Sequence, residues 1–186
     1  MAWIQCSFYS EILSRTVSMD VIIPEPDIFY SREELLSVKG FQTVYLLHGK
    51  GHSSTDWIKN TSVERYAMEN QAAVVMPYIE GGKYEDGVTG RYWTYLTKEC
   101  MEVAEFYFPL SSRKEDRFAA GVEQGGCGVL RWKEEFPEIF GKVMQIRGEQ
   151  KEVNQKNNWS MWKEWDRELE GMFQMLPFNR NIYHNS

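Results

Sequence analysis

The chain has 186 residues, 42% hydrophobic and 26% charged, which suits one domain with a sizeable core and argues against a disordered chain. Its formal net charge is −6 and no Lys/Arg cluster exceeds a pair, which argues against nucleic acid and anionic membrane surfaces as main partners. Three cysteines, Cys6, Cys100 and Cys127, are too few and too scattered for a disulfide framework or a zinc site.

The first residues show neither a basic stretch nor an apolar core of a signal peptide, and no apolar run approaches the ~18 residues that span a bilayer. Reduced thiols in a cytoplasmic protein are therefore expected. The sequons at Asn60 and Asn158 are read as chance.

Residues 2–10 alternate, and Thr16 to Ile23 alternates more clearly, which predicts an antiparallel pair at a sheet edge. Pro24-Glu25-Pro26 ends the second strand, and the polar run from Ser31 to Gly40 reads as a surface loop. Thr43 to Leu47 and Ala72 to Met76 are continuous apolar runs, the pattern of strands buried on both faces. Between them, Thr61-Ser62-Val63-Glu64 has capping-box spacing and opens a helix to about Asn70.

Gly81 to Gly90 is a glycine-rich loop. The helix after it places Leu96, Cys100, Val103 and Tyr107 on one face and ends at Pro109. A further helix is expected from Gly125 to about Phe140, followed by Lys142 to Ile146 as a sixth strand. Residues 149–158 are polar and unpatterned, a loop. Trp159, Trp162, Trp165, Leu169, Met172, Phe173 and Leu176 recur at helical spacing, which predicts an amphipathic helix with this stripe in the core. The tail, 179–186, is expected to fray. Alternating strands and helices predict an α/β fold with a mostly parallel sheet of about six strands flanked by helices.

Within that frame, the stretch from Arg117 to Gly128 carries the most information. An apolar strand runs into a glycine-dense turn and then a helix, the shape of a nucleophile elbow, in which G-x-S-x-G lifts a serine onto a tight turn. Gly121 and Gly125 keep the spacing, but the central residue is Glu123.

Several fragments agree with this elbow: L-L-H-G at 46–49, D-W at 56–57 leading into V-E-R at 63–65, V-V-M-P at 74–77, and Y-W-T-Y at 92–95. With A-G-V-E-Q-G-G-C-G at 120–128 and W-K-E-W-D-R-E-L at 162–169, the chain resembles the esterase D / tributyrin esterase family of α/β-hydrolases, relatives of S-formylglutathione hydrolase. The resemblance implies a truncated α/β-hydrolase fold and a carboxylesterase ancestry with a Ser-His-Asp triad and no cofactor.

Carried over by position, the nucleophile falls on Glu123 and the histidine, two residues before the first Trp of W-x-x-W-D, falls on Ser160. The acid-bearing segment is read as replaced by the loop 149–158. The oxyanion hole would use the N–H of Gln124 and an N–H from the turn Gly49-Lys50-Gly51, which keep their amides whatever the side chains.

Acyl transfer needs a nucleophile with a base in hydrogen-bond reach. Glu123 could serve as a carboxylate nucleophile, and Cys127, in the first turn of the helix, as a thiol; the blander readings are a carboxylate tolerated at a helix N-terminus and a small buried residue. His48 belongs to the H-G turn and is read as structural, His52 sits in a nearby loop, and His184 lies near the end of the tail. Ser53, Ser54 and Ser160 have no base adjacent in sequence.

The leading expectation is a catalytically degenerate esterase homologue that binds a protein partner or a small acyl-type ligand. One alternative is an active ester hydrolase with a rearranged site, Glu123 or Cys127 with His52 or His184. Another is a remnant or engineered deletion product without a selected function. Because the family sheet continues past Lys142 to Ile146, that strand is expected to have a bare edge suited to a homodimer or a protein partner.

Overall fold

The computed structural model describes residues 1–25, 40–147 and 158–179. Its strands are β1 (Ala2–Ser10), β2 (Arg15–Ile23), β3 (Thr43–Leu47), β4 (Ala73–Pro77), β5 (Asp86–Gly87), β6 (Gly90–Arg91), β7 (Arg117–Val122) and β8 (Lys142–Ile146). Six of them form the main sheet, in the order β1-β2-β4-β3-β7-β8, while β5 and β6 pair with each other. Strands β4, β3, β7 and β8 run parallel; β2 pairs antiparallel with both β1 and β4. The mostly parallel α/β sheet expected from the apolar runs is present, with the antiparallel pair at one edge and β8 at the other.

The apolar runs are continuous because successive residues enter different cores. In β3, Val44 and Leu46 join one cluster and Tyr45 and Leu47 the other; in β4, Val74 and Met76 oppose Ala73 and Val75 in the same way. One face is covered by α1 (Ser54–Asn60), α2 (Val63–Asn70) and α5 (Asn158–Met175), through Trp57, Tyr66, Trp162 and Trp165. The other is covered by the helix α3, running from Tyr92 to Tyr107, and by α4 (Glu123–Glu135). There Trp132 stacks edge-on against Tyr45, Trp93 and Phe140.

Several helix details differ from the sequence reading. Helix α1 was not expected, although Ser53 and Asp56 have N-cap spacing; the Ser53 N–H donates to Asp56 Oδ2 at 2.8 Å. The predicted box at Thr61–Glu64 does not form. Ser62 is the N-cap of α2, and its N–H donates to Asp166 Oδ1 at 2.7 Å, with Tyr66 Oη donating to the same oxygen at 3.0 Å. The aspartate of W-x-x-W-D thus ties α5 to the start of α2.

In α3, Tyr95–Cys100 is π-helical, and this wider turn rotates the rest of the helix about its axis. Leu96 and Cys100 are buried and Val103 packs half-buried against the core, as expected, but Met101 and Ala104 join the inner face and Tyr107 is exposed. Helix α4 stops at Glu135 rather than about Phe140, since Pro137 disfavours helical geometry at Phe136. The glycine-rich loop holds a 3₁₀ turn, Glu80–Gly82, and the small antiparallel pair of β5 and β6. Trp159 is 79% exposed and stands outside the core stripe assigned to it. The predicted loops 31–39 and 149–157, and the tail from residue 180, lie outside the described residues.

Helix α4 can start where it does only because it lies almost on the backbone of β3. A Cβ at Gly125 would sit 2.5 Å from Leu47 O and 2.7 Å from His48 O. Gly125→Ala is therefore expected to destabilise the fold by about 1–3 kcal/mol, since backbone cannot yield as a side chain can. Thermal denaturation should show a midpoint lower by several degrees, at about 2–4 °C per kcal/mol for a chain of this size.

Candidate active site at the elbow

Three segments meet at the carboxyl end of the parallel strands: the turn after β3, the 3₁₀ turn after β4 and the start of α4. Glu123 is the first residue of α4 and has φ 49°, in the left-handed region that non-glycine residues rarely enter. A strand, a strained exposed residue and an immediate helix are the geometry of a nucleophile elbow. The Glu123 carboxylate lies over Gly49, where any side chain would collide with Oε2. Beside it the Lys50 N–H donates to Gln124 Oε1 at 3.1 Å. Of the residues named for the oxyanion hole, the structure joins Lys50 and Gln124, whose bond occupies the Lys50 donor, while Gly51 lines a different cavity. Gln124 lies in the first turn of α4, where backbone N–H groups lack intrahelical acceptors.

His48 is fully buried and has no catalytic freedom. Its Nε2 accepts the Ile79 N–H at 3.0 Å, so Nδ1 carries the proton and donates to Gly49 O at 2.8 Å. Burial pushes its pKa below the ordinary histidine value. The neutral ring joins the ends of β3 and β4, as the structural reading of the H-G turn expects. Tyr84 adds a second tie, its Oη donating to His48 O at 2.6 Å.

His52 is half-buried, edge-on to Trp162 and Trp165 with ring centroids 5.1 and 5.6 Å away. Its Nδ1 is 3.9 Å from Asp56 Oδ2, too long for a hydrogen bond. With Gly51, Asp56, Asn60, Trp159 and Trp162 it lines a cavity of about 330 Å³. Ser160 is exposed on the first turn of α5. His184 lies outside the described residues. Among the described residues, no hydrogen bond or ion pair joins Glu123 or Cys127 to either histidine.

The blander reading of Cys127 as a buried residue is wrong: the thiol is exposed. It sits one turn along α4 from Glu123, on the face that also presents Gln124, Gly128 and Arg131. These line a second cavity of about 460 Å³ together with Lys50, Lys83, Tyr84 and Glu85. The composition of this cavity was missed in the sequence, although the 124/127/131 spacing on one helix face was visible. Among the described residues no group of three or more His, Cys, Asp or Glu could hold a metal, and no helix is long and apolar enough to cross a membrane.

A family model described as "Putative esterase" matches residues 16–174. The chain belongs to that family. It is 29% identical over 135 residues to an acetyl esterase of Caldicellulosiruptor saccharolyticus, covering 70% of this chain and half the length of that relative. Among solved structures, the S-formylglutathione hydrolase FrmB of Staphylococcus aureus superposes with a TM-score of 0.75 at 20% identity, covering 94% of this chain and 96% of that one. The fluorophosphonate-binding serine hydrolase FphF of the same organism gives 0.68 at 23% identity, covering 95% and 76%. These likenesses establish the α/β-hydrolase architecture suggested by the sequence fragments.

The three thiols differ enough to be told apart in solution. Cys127 is exposed, Cys6 is half-buried with its pKa raised by burial, and Cys100 is buried with its pKa pushed up to about 12. Titration of the folded protein with a disulfide reagent should show one fast thiol, since the thiolate is the reacting form. Cys127→Ser should remove that phase; a fast phase that persists in the variant would contradict the placement of Cys127.

Proposed function

We propose that this esterase-like protein is catalytically degenerate and works by binding, with a small acyl-type ligand seated at the former oxyanion hole. The observation that carries this reading is Glu123 on a preserved elbow, with no base hydrogen-bonded to it among the described residues. A carboxylate in that place is a weaker nucleophile than an activated serine, and hydrolysis of any acyl-enzyme would need a positioned base to activate water. His48 is committed to structure through both ring nitrogens. The names of the acetyl esterase and of the fluorophosphonate-binding serine hydrolase describe ester and serine chemistry in those proteins; in this chain the elbow carries Glu123.

The rearranged-site alternative gains one point of support from the exposed Cys127 beside Gln124. Assays with p-nitrophenyl butyrate and a fluorophosphonate probe separate the two. No turnover above background and no serine labelling are expected. Glu123→Ser alone should leave activity unrestored, because general-base help is typically worth ~10²–10⁴-fold. Turnover abolished by Cys127→Ser would establish the thiol route, and stoichiometric fluorophosphonate labelling of any serine would overturn the degenerate reading.

A second mode of binding, to a protein partner or another copy of the chain, is proposed along β8. Among the described residues this strand is paired on one side only, with β7, and Val143, Met144 and Gln145 remain half-buried. Light scattering at low micromolar concentration should show a dimer that a proline at Met144 dissociates. A folded, monomeric wild-type protein would remove self-association along this edge.

A further inference from the structure

The cavity of about 460 Å³ beside the elbow is positive in a chain whose formal net charge is −6. Lys50, Lys83 and Arg131 line it, against one lining carboxylate, Glu85. Arg131 is committed: its Nε donates to Glu135 at 2.7 Å, one terminal nitrogen donates to Tyr84 O at 3.0 Å, and it lies 4.2 Å from the Trp93 ring centre. Lys50 and Lys83 have no ion pair among the described residues. They are free to answer a negative charge inside the cavity.

The backbone of the same cavity already holds an oxygen of the right kind. Lys50 N–H donates to the amide oxygen of Gln124, a planar sp² oxygen at 3.1 Å, and both residues line the cavity. Gly82, at φ 62°, brings the opposite turn against this segment so closely that a Cβ would stand 3.0 Å from Gly49 O. The donor is thereby fixed in position. A neutral amide is a weaker acceptor than a carboxylate, whose hydrogen bonds are roughly twice as strong. The Glu123 carboxylate lies over Gly49 and is not among the residues that line the cavity.

We propose that this cavity binds a small carboxylate, which takes the Lys50 N–H from Gln124 and is neutralised by Lys50 and Lys83. The Gln124 side chain is then an internal placeholder that occupies the donor until the ligand arrives. No covalent bond is made or broken. The proposal deepens the binding reading given above, and its test is independent of turnover: a protein that hydrolyses esters yet binds butyrate at Lys50 fails only that reading.

The test is a titration of the full-length ¹⁵N-labelled protein with butyrate, butyramide and inorganic phosphate, followed by amide shifts. Butyrate should move the Lys50 amide saturably and bind about tenfold more tightly than butyramide. Gln124→Ala should tighten butyrate several-fold by removing the competitor, and Lys83→Gln should weaken it several-fold. Should Gln124→Ala fail to fold, Gln124→Asn, too short to reach the Lys50 N–H, makes the same comparison. Butyramide equal to butyrate, a Lys50 amide unmoved at saturation, or Gln124 variants that bind no better would each overturn the proposal. Phosphate binding as tightly as butyrate would overturn the assignment to carboxylates.

Discussion

The site depends on one close approach of backbones. Gly125 at the start of α4 lies against the carbonyls of Leu47 and His48, and Gly121 at the end of β7 lies against Gly125 in turn, where a Cβ would be 2.5 Å from Gly125 O. No residue with a side chain fits at either place without moving the main chain. This contact puts the end of β3, the end of β7 and the first turn of α4 within hydrogen-bond reach of one another. The Lys50–Gln124 bond, the Glu123 carboxylate over Gly49 and the cavity beside Cys127 all depend on it.

Around this contact, groups that elsewhere would do chemistry hold the scaffold. His48 spends both nitrogens linking the ends of β3 and β4, and Tyr84 commits its hydroxyl to the His48 carbonyl. Asp166 commits its carboxylate to Ser62 and Tyr66, fixing α5 across α2. None of these contacts involves the side chain at position 123, so the scaffold does not depend on which residue stands at the elbow.

Much of the fold was legible because burial on both faces writes itself as an unbroken apolar run. Thr43–Leu47 and the run at 72–76 are such cases, and the alternation in residues 2–10 marked an edge strand. Local geometry was legible only where one short-range rule acted alone. Helix α1 escaped notice because its seven residues are too few to show a period, and the π-helical turn at Tyr95–Cys100 breaks the period on which the face of α3 was assigned. The capping box at Thr61 lost to a partner 104 residues away, Asp166, which no local spacing reveals. At the site, the glycine spacing disclosed the elbow. The cavity needs Lys83 from another turn, and the exposure of Cys127 depends on which way α4 faces; both are products of tertiary packing.

The backbone at Glu123 has a consequence beyond this protein's own activity. A side-chain-bearing residue held at φ 49° costs roughly 1–2 kcal/mol over an ordinary helical conformation. The glycine contact behind the turn fixes the main chain on either side of it, independently of the side chain at 123. Position 123 is thus a fixed mount: the main chain aims it outward beside two amides and a cavity whether it carries an acid, an alcohol or an amide. For a designer, the chain is a small chassis with one tool post, at which new chemistry can be installed by changing the tool and leaving the arm that holds it untouched.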